Sequence, residues 1–306
     1  MPVPDFQSLM LPVLSAVADG EVAAPDLRRQ VADKLNLNDG DLAEMLPSGR
    51  QTTFTNRVAW ANVFLQRAGL IERTGRGRYC STEAGRNLLR ESPTKIDIRL
   101  LARFSSFVEW RRRSAGESRP DATADTLGSA ETSITPDEQI ARSYEVLTNA
   151  LASDLLERVR EMSPAFFETL IIDLLIKLGY GGGDPTMGKA IGRSGDGGID
   201  GLIKEDALGL DIIYVQAKRY AAGNTVGRPD IQAFAGSLDG VGATKGIFIT
   251  TASFSAGARD FVSRIAKRLI LIDGVELAQM MVDREVGVRV SATYKLKSID
   301  ENYFVE

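Results

Sequence analysis

The sequence predicts a two-domain α/β (α+β) protein. Its N-terminal part is a group of short helices closed by a β-hairpin, and its C-terminal part is a mixed sheet flanked by helices. Three observations predict this. Helical apolar periodicity early in the chain ends in two strand-like runs around a Gly-containing turn, residues 114–137 almost lack large apolar side chains, and from about 138 onward helix and strand patterns alternate. A chain of 306 residues suits two domains, and 43% hydrophobic with 25% charged residues suits a water-exposed globule with a real core.

Taken in order, "DFQSLMLPVLSAVA" and "PDLRRQVADKLN" read as amphipathic helices, the second with Pro25 near its start. "TTFTNRVAWANVFLQRAGL" reads as a third helix, with Phe54, Val58, Ala61 and Leu65 on one stripe, Arg57 able to face outward and Gly69 as the stop. "LIERTGRGRYCST" reads as strand, turn and strand, with Arg73, Arg76 and Arg78 on or beside the tip. Three helices and a basic hairpin form the pattern of a winged helix, whose third helix can enter the major groove of DNA. The same pattern also serves protein docking.

From Arg50 to Arg113 the only acids are Glu72, Glu83, Glu91, Asp97 and Glu109, among many arginines. A basic block inside a chain of net charge −4 is a candidate phosphate-binding face. Arg50, Asn56, Arg57, Arg73, Arg76 and Arg78 are its candidate DNA contacts. "IDIRLLARFSSFVEWRRR" reads as one helix with a basic end, and 114–137 as a flexible linker too poor in apolar groups to offset ordering entropy. The expected domains are thus 1–90 for DNA recognition, 91–137 for the basic helix and linker, and 138–306 for catalysis.

In the last of these, "SPAFFETLIIDLLIKLGY" opens a helix with Ser163 as N-cap and Pro164 at the first helical position. "GIDGLI" and "DIIYVQA" read as strands, and "RPDIQAFAGSLDG" as a helix. "KGIFITT", "SAGARDFVSRIAKR", "LILID" and "GVELAQMMV" then alternate strand and helix.

Composition excludes several chemistries. The chain has no histidine, which removes Ser-His-Asp hydrolysis, Cys-His proteolysis and His-held zinc. A metal here must be held by oxygen, which favours Mg2+, Mn2+ or Ca2+. The single cysteine, Cys80, excludes an internal disulfide framework and suits a reducing compartment. No run approaches the roughly 18 apolar residues of a membrane span, and the start lacks a secretory pattern. A cytoplasmic protein with no membrane partner is expected.

The remaining question is the run "GDGGIDG" at 195–201, followed by "VQAKRY" at 215–220. A nucleotide-binding loop fits poorly, because no Gly-Lys-Ser/Thr follows and the glycines precede a strand. If the two strands form an antiparallel hairpin centred near Leu208, Asp200 falls opposite Gln216. Alternation then puts Gln216 and Lys218 on the same face, with Ile213, Val215 and Ala217 on the other. Asp200 supplies a hard oxygen for a divalent cation and Gln216 a neutral carbonyl. Lys218 can position or deprotonate an attacking water, or stabilise the transition state. Glu168, on an otherwise apolar helix, adds a carboxylate that could complete the metal shell directly or through water. Asp196 fits a turn better than a ligand.

These motifs resemble the catalytic signature of the Mrr family of restriction endonucleases, within the PD-(D/E)xK nuclease superfamily. The likeness extends to "LPSG" at 46–49, "NRVAWA" at 56–61, "LGYGG" at 178–182, "NTVGRPDIQAF" at 224–234 and "GIFITT" at 246–251. The resemblance implies a winged helix followed by a nuclease domain, with Asp200, Gln216, Lys218 and the helical Glu168 as catalytic residues. Gln216 departs from the acidic residue usual in the superfamily. The resemblance also implies modification-dependent (type IV) cleavage of methylated double-stranded DNA in host defence, with Mg2+ as cofactor. Cutting both strands needs two active sites, so a homodimer or tetramer is expected. The alternative is a non-cleaving winged-helix DNA-binding regulator.

Overall fold

Capping signals set where helices begin in the computed structural model, which describes residues 2–114, 133–191, 198–300 and 302–303. The Asp5 carboxylate accepts from the amides of Gln7 and Ser8 and starts α1 (Phe6–Ala16). Then follow β1 (Val22–Ala23), α2 (Ala24–Lys34), the short α3 (Asp39–Ala43) and α4 (Thr53–Arg67), which Thr52 caps. Gly69, at φ +73°, takes the left-handed turn after α4 that a side chain would oppose. The hairpin β2 (Ile71–Gly75) and β3 (Arg78–Ser81) turns through Arg76 and Gly77, and β1 joins it in an antiparallel order β1-β3-β2.

The predicted stripe Phe54, Val58, Ala61 and Leu65 is buried, packed with Leu9, Met10, Val13 and Leu14 of α1 in one apolar cluster. At about 1.5–3 kcal/mol for each large apolar side chain removed from water, this cluster carries most of the cohesion of these elements. Helix α5 (Glu83–Arg90) was not anticipated. The single helix expected at 96–113 is instead α6 (Ile98–Leu101) and α7 (Ser105–Ser114). The break lets Ile98 and Leu101 from one piece and Phe107 from the other reach the same core.

Contact grouping divides the chain at Tyr144/Glu145, with the tail from Ser298 counted in the first unit. That boundary lies inside the 26-residue helix α8 (Pro136–Glu161), not at 138. Residues 115–132 of the expected linker lie outside the described residues. Its end is ordered: Thr135 is fully buried, its hydroxyl accepts from the Glu138 amide, and its amide donates to the Glu138 carboxylate. This reciprocal box starts α8.

The second unit continues with α9 (Pro164–Lys177), β4 (Gly188–Ala190), β5 (Gly201–Lys204), β6 (Ile212–Lys218), β7 (Thr225–Val226) and α10 (Arg228–Gly240). It ends with β8 (Lys245–Thr250), β9 (Ser253–Phe254), α11 (Ala256–Arg264), β10 (Arg268–Ile272) and α12 (Gly274–Asp283). The main sheet has the order β10-β8-β6-β5-β4. It is antiparallel from β4 to β6 and parallel from β6 through β8 to β10, hence mixed. One face packs on α8, α9 and α12 through Val159, Ile171, Leu174 and Leu277, with Ile213 and Val215 beneath. The other packs on α10 and α11 through Phe234, Leu238 and Ala258, with Phe248 beneath. Among the described residues, no helix is long and apolar enough to cross a membrane.

Candidate active site

The hairpin register is the one the sequence implies. Gly201 lies opposite Val215 and Ile203 opposite Ile213, and Asp200 lies just before the first of these pairs, bonded to the backbone of Val215 and Ala217. The backbone of Asp200 is held on both sides, its amide donating to Val215 O at 2.9 Å and its carbonyl accepting from the Ile191 amide at 2.8 Å. Its side chain is held too: Oδ2 accepts from the Ala217 amide at 2.8 Å. Among the described residues, no donor is bonded to Oδ1.

In the parallel ladder Gln216 pairs with Phe248 and Lys218 with Thr250, which puts both side chains on the α10/α11 side. Gln216 is buried at 6% exposure, because helices cover that face of the sheet as well. Its Oε1 has no hydrogen-bond partner among the described residues. Leaving a buried carbonyl unpaired costs about 1–3 kcal/mol. Gly198 accounts for part of the glycine run. At φ +89° it lies against the Gln216 amide, and a Cβ there would stand 2.5 Å from Nε2. Only glycine lets the loop close over Gln216. Residues 195–197, Asp196 among them, lie outside the described residues.

Electrostatics tie Glu168 to this place. Burial pushes its carboxyl above the usual range, and the negative charge of Asp200 adds to the push. Asp200 is also raised, chiefly by burial, against the Ala217 amide and the Lys218 ammonium, which pull it down. The Asp200 charge thus acts on both the Glu168 carboxyl and the Lys218 ammonium, and the unpaired carbonyl of Gln216 lies on β6 two residues before that lysine. All the acceptors are hard oxygens, and the orphaned Gln216 carbonyl is a group that a divalent cation would satisfy. Among the described residues, no three acidic, Cys or His side chains cluster as a ready-made metal cage. The site is accordingly poor in charge, with glutamine in place of a third acid.

Sequence reasoning passed over the Ala217 amide that orients Asp200 and the threonines of "GIFITT" beside Lys218. The first is a backbone group, invisible to residue-type motifs. The second was quotable only as part of a resemblance.

The candidate DNA contacts divide. Arg50 and the hairpin-tip Arg76 are exposed. Arg73 is exposed with its Nε on Gly75 O, and Arg78 pairs with Glu21 at 2.6 Å in solvent. Asn56 and Arg57 are corrected. Asn56 is 2% exposed, accepting from the Thr135 hydroxyl at 2.6 Å and donating to Asp137 at 3.2 Å. Arg57 donates Nε and Nη2 to Glu138 at 2.9 and 2.6 Å, and Nη1 to the carbonyls of Val3 and Pro4. Trp60 donates to Asp137 at 2.7 Å. This face of α4 anchors the start of α8, so Asn56 and Arg57 spend their polar groups within the protein. The signal for it was legible: Thr135-Pro-Asp-Glu138 is a capping-box spacing that runs across the end of the stretch read as linker.

Both parts of the chain have counterparts among known proteins. A family model for the Mrr N-terminal domain matches residues 6–91, and the Mrr_cat restriction endonuclease model matches residues 159–281. The chain is 39% identical over 315 residues to the type IV methyl-directed restriction enzyme EcoKMrr of Escherichia coli strain K12, covering 99% of this chain and 100% of that one. Among solved structures, the DNA modification-dependent restriction endonuclease AspBHI aligns at 21% identity and TM-score 0.38, over 45% of this chain and 36% of its own. MspJI restriction endonuclease in complex with a 27-mer oligonucleotide aligns at 19% identity and TM-score 0.36, over 71% of this chain and 52% of its own. With both family models matched in order and a full-length relative at this identity, the chain belongs to the Mrr family of restriction endonucleases.

Proposed function

We propose that this protein is a Mg2+-dependent endonuclease that hydrolyses phosphodiester bonds of methylated double-stranded DNA. The observation that supports the reading is the charge interaction of Asp200 with Lys218, with the unpaired buried carbonyl of Gln216 on the strand that carries the lysine. The direction to methylated DNA rests on the name of the E. coli relative. Asp200 and Gln216 would hold the cation, with Glu168 completing the shell directly or through water, and Mn2+ is the natural substitute. When bound, the cation polarises the scissile phosphate and offsets the charge developing on it. The Ala217 amide keeps the Asp200 carboxylate turned toward the strand end. Lys218 orients the attacking water and meets the negative charge of the pentavalent phosphorus with its ammonium.

The N-terminal unit is read as a winged helix that grips DNA. The three-stranded antiparallel sheet around the hairpin supports this. Arg50, Arg76 and Arg78 are its phosphate contacts, with Arg73 beside them. The Arg78–Glu21 pair is exposed, so it is worth no more than about 1 kcal/mol and yields readily to a phosphate. Since one site faces one strand, a homodimer or tetramer performs the double-strand cut.

The test is cleavage of matched methylated and unmethylated plasmid with Mg2+, alongside Lys218→Ala. Cutting confined to methylated DNA and lost in the variant is expected. Binding without cutting under every divalent metal would replace this reading with that of a DNA-binding regulator.

A further inference from the structure

Strand β6 and its ladder with β8 both end at Lys218, opposite Thr250. Beyond that point regular pairing no longer fixes the backbone that carries the lysine. Two consecutive, fully buried threonines take over. The Thr250 hydroxyl donates to Lys218 O at 2.7 Å, and the Thr251 amide donates to the same carbonyl at 3.3 Å. The Thr251 hydroxyl then grips Tyr220 at both ends, accepting from its amide and donating to its carbonyl, each at 2.7 Å. A single side chain thus imitates one more rung of the sheet.

The network closes behind the lysine. Thr251 O accepts from Arg160 Nη2 at 2.9 Å and Nε at 3.3 Å. The carbonyl of Arg160, in the last turn of α8, accepts from Arg219 Nη1. Arg219 is the residue after Lys218, so the chain leaving the lysine is tied at three successive residues to the same threonine pair.

We infer that Thr251, supported by Thr250 and Arg160, is a positioning residue for the cleavage reaction. It sets where the Lys218 Cα stands and hence where the ammonium can reach. The inference rests on the reading of Lys218 as a catalytic residue. A lysine side chain is long and flexible, so its reach toward a phosphate depends on a fixed starting point. A displacement of about 1 Å at a reacting group can cost roughly 100-fold in rate. The bonds of this network go to main-chain groups, so DNA affinity is expected to change little when they are lost.

Thr251→Val keeps the shape and removes the hydroxyl, leaving both backbone groups of Tyr220 without their partner. Thr251→Ser keeps the hydroxyl. With the full-length protein, magnesium and methylated plasmid, Thr251→Val is expected to lower the single-turnover cleavage rate by about 10–100-fold. Its dissociation constant for the same DNA should stay within about two-fold, and Thr251→Ser should restore the rate to within about three-fold. A folded Thr251→Val that cuts at the wild-type rate overturns the inference. Equal losses of rate and DNA affinity, with a lower melting temperature and no rescue by serine, do so too, because they describe a purely structural role.

If Thr251→Val does not fold by circular dichroism, Arg160→Met takes its place, and is expected to slow cleavage about ten-fold at unchanged DNA affinity. A wild-type rate in that variant overturns the inference. Failure of the wild-type protein to cut at all, under conditions where it binds DNA, overturns the nuclease reading itself and is distinguishable from these results.

Discussion

Arg57→Ala tests the division of the basic block most directly. The Arg57–Glu138 pair is mostly out of water, at 18% and 9% side-chain exposure. Truncating the arginine leaves a buried carboxylate without its bidentate donor and strips the carbonyls of Val3 and Pro4 of theirs. Removing one partner of a buried pair costs about 3–5 kcal/mol, and the residual exposure favours the lower end. The expected loss is therefore about 3 kcal/mol. With a urea dependence of about 2 kcal/mol/M, the unfolding midpoint should fall by about 1.5 M. The chain's two tryptophans, Trp60 and Trp110, both lie in the first unit, so their fluorescence follows that unit alone. Glu138→Gln in the same background removes the stranded charge, and the cycle should show a coupling of about 2 kcal/mol. The salt dependence of DNA binding should not change. A midpoint shift below about 0.5 M, together with a salt slope reduced by about 0.9, would instead make Arg57 a phosphate contact and refute the anchor.

Three further outcomes are expected. Replacing Arg50, Arg76 and Arg78 with alanine should lower the salt slope of DNA binding by roughly 2–3 while leaving the melting temperature unchanged; an unaltered slope would move the DNA surface elsewhere. Gln216→Glu should reduce the magnesium concentration needed for half-maximal cleavage several-fold, and a metal titration with no shift would count against Gln216 as a ligand. Asp200→Asn should abolish cleavage yet raise the melting temperature of chelator-treated protein at neutral pH. Burial holds the Asp200 carboxyl above its unfolded value, so ionisation costs stability, a penalty complete above the folded pKa and absent below the unfolded one. A lower melting temperature at pH 7 would show that the carboxylate stabilises the fold.

Much of this protein was legible in the order of its residues. The period-two alternation of "DIIYVQAK" and the length of the turn before it sufficed to set the register of β5 on β6 and to put Gln216 and Lys218 on one face, because a strand has only two sides and a hairpin has one centre. The stripe Phe54, Val58, Ala61 and Leu65 announced the inner face of α4 for the same kind of reason. Periodicity says which face is apolar; it does not say what covers the polar one. Arg57 looks outward by that rule, and only the tertiary structure brings Val3, Pro4 and Glu138, the last of them 81 residues away, to meet it. Gln216 is buried because α10 and α11 cover its face of the sheet, which alternation alone does not reveal. The threonines behind Lys218 act through main-chain groups of a neighbouring parallel strand, whose place depends on the crossover through α10. Local spacing thus determined which side chains share a face. Long-range packing decided which of them keep water, because burial and partnership belong to surfaces that distant segments bring together.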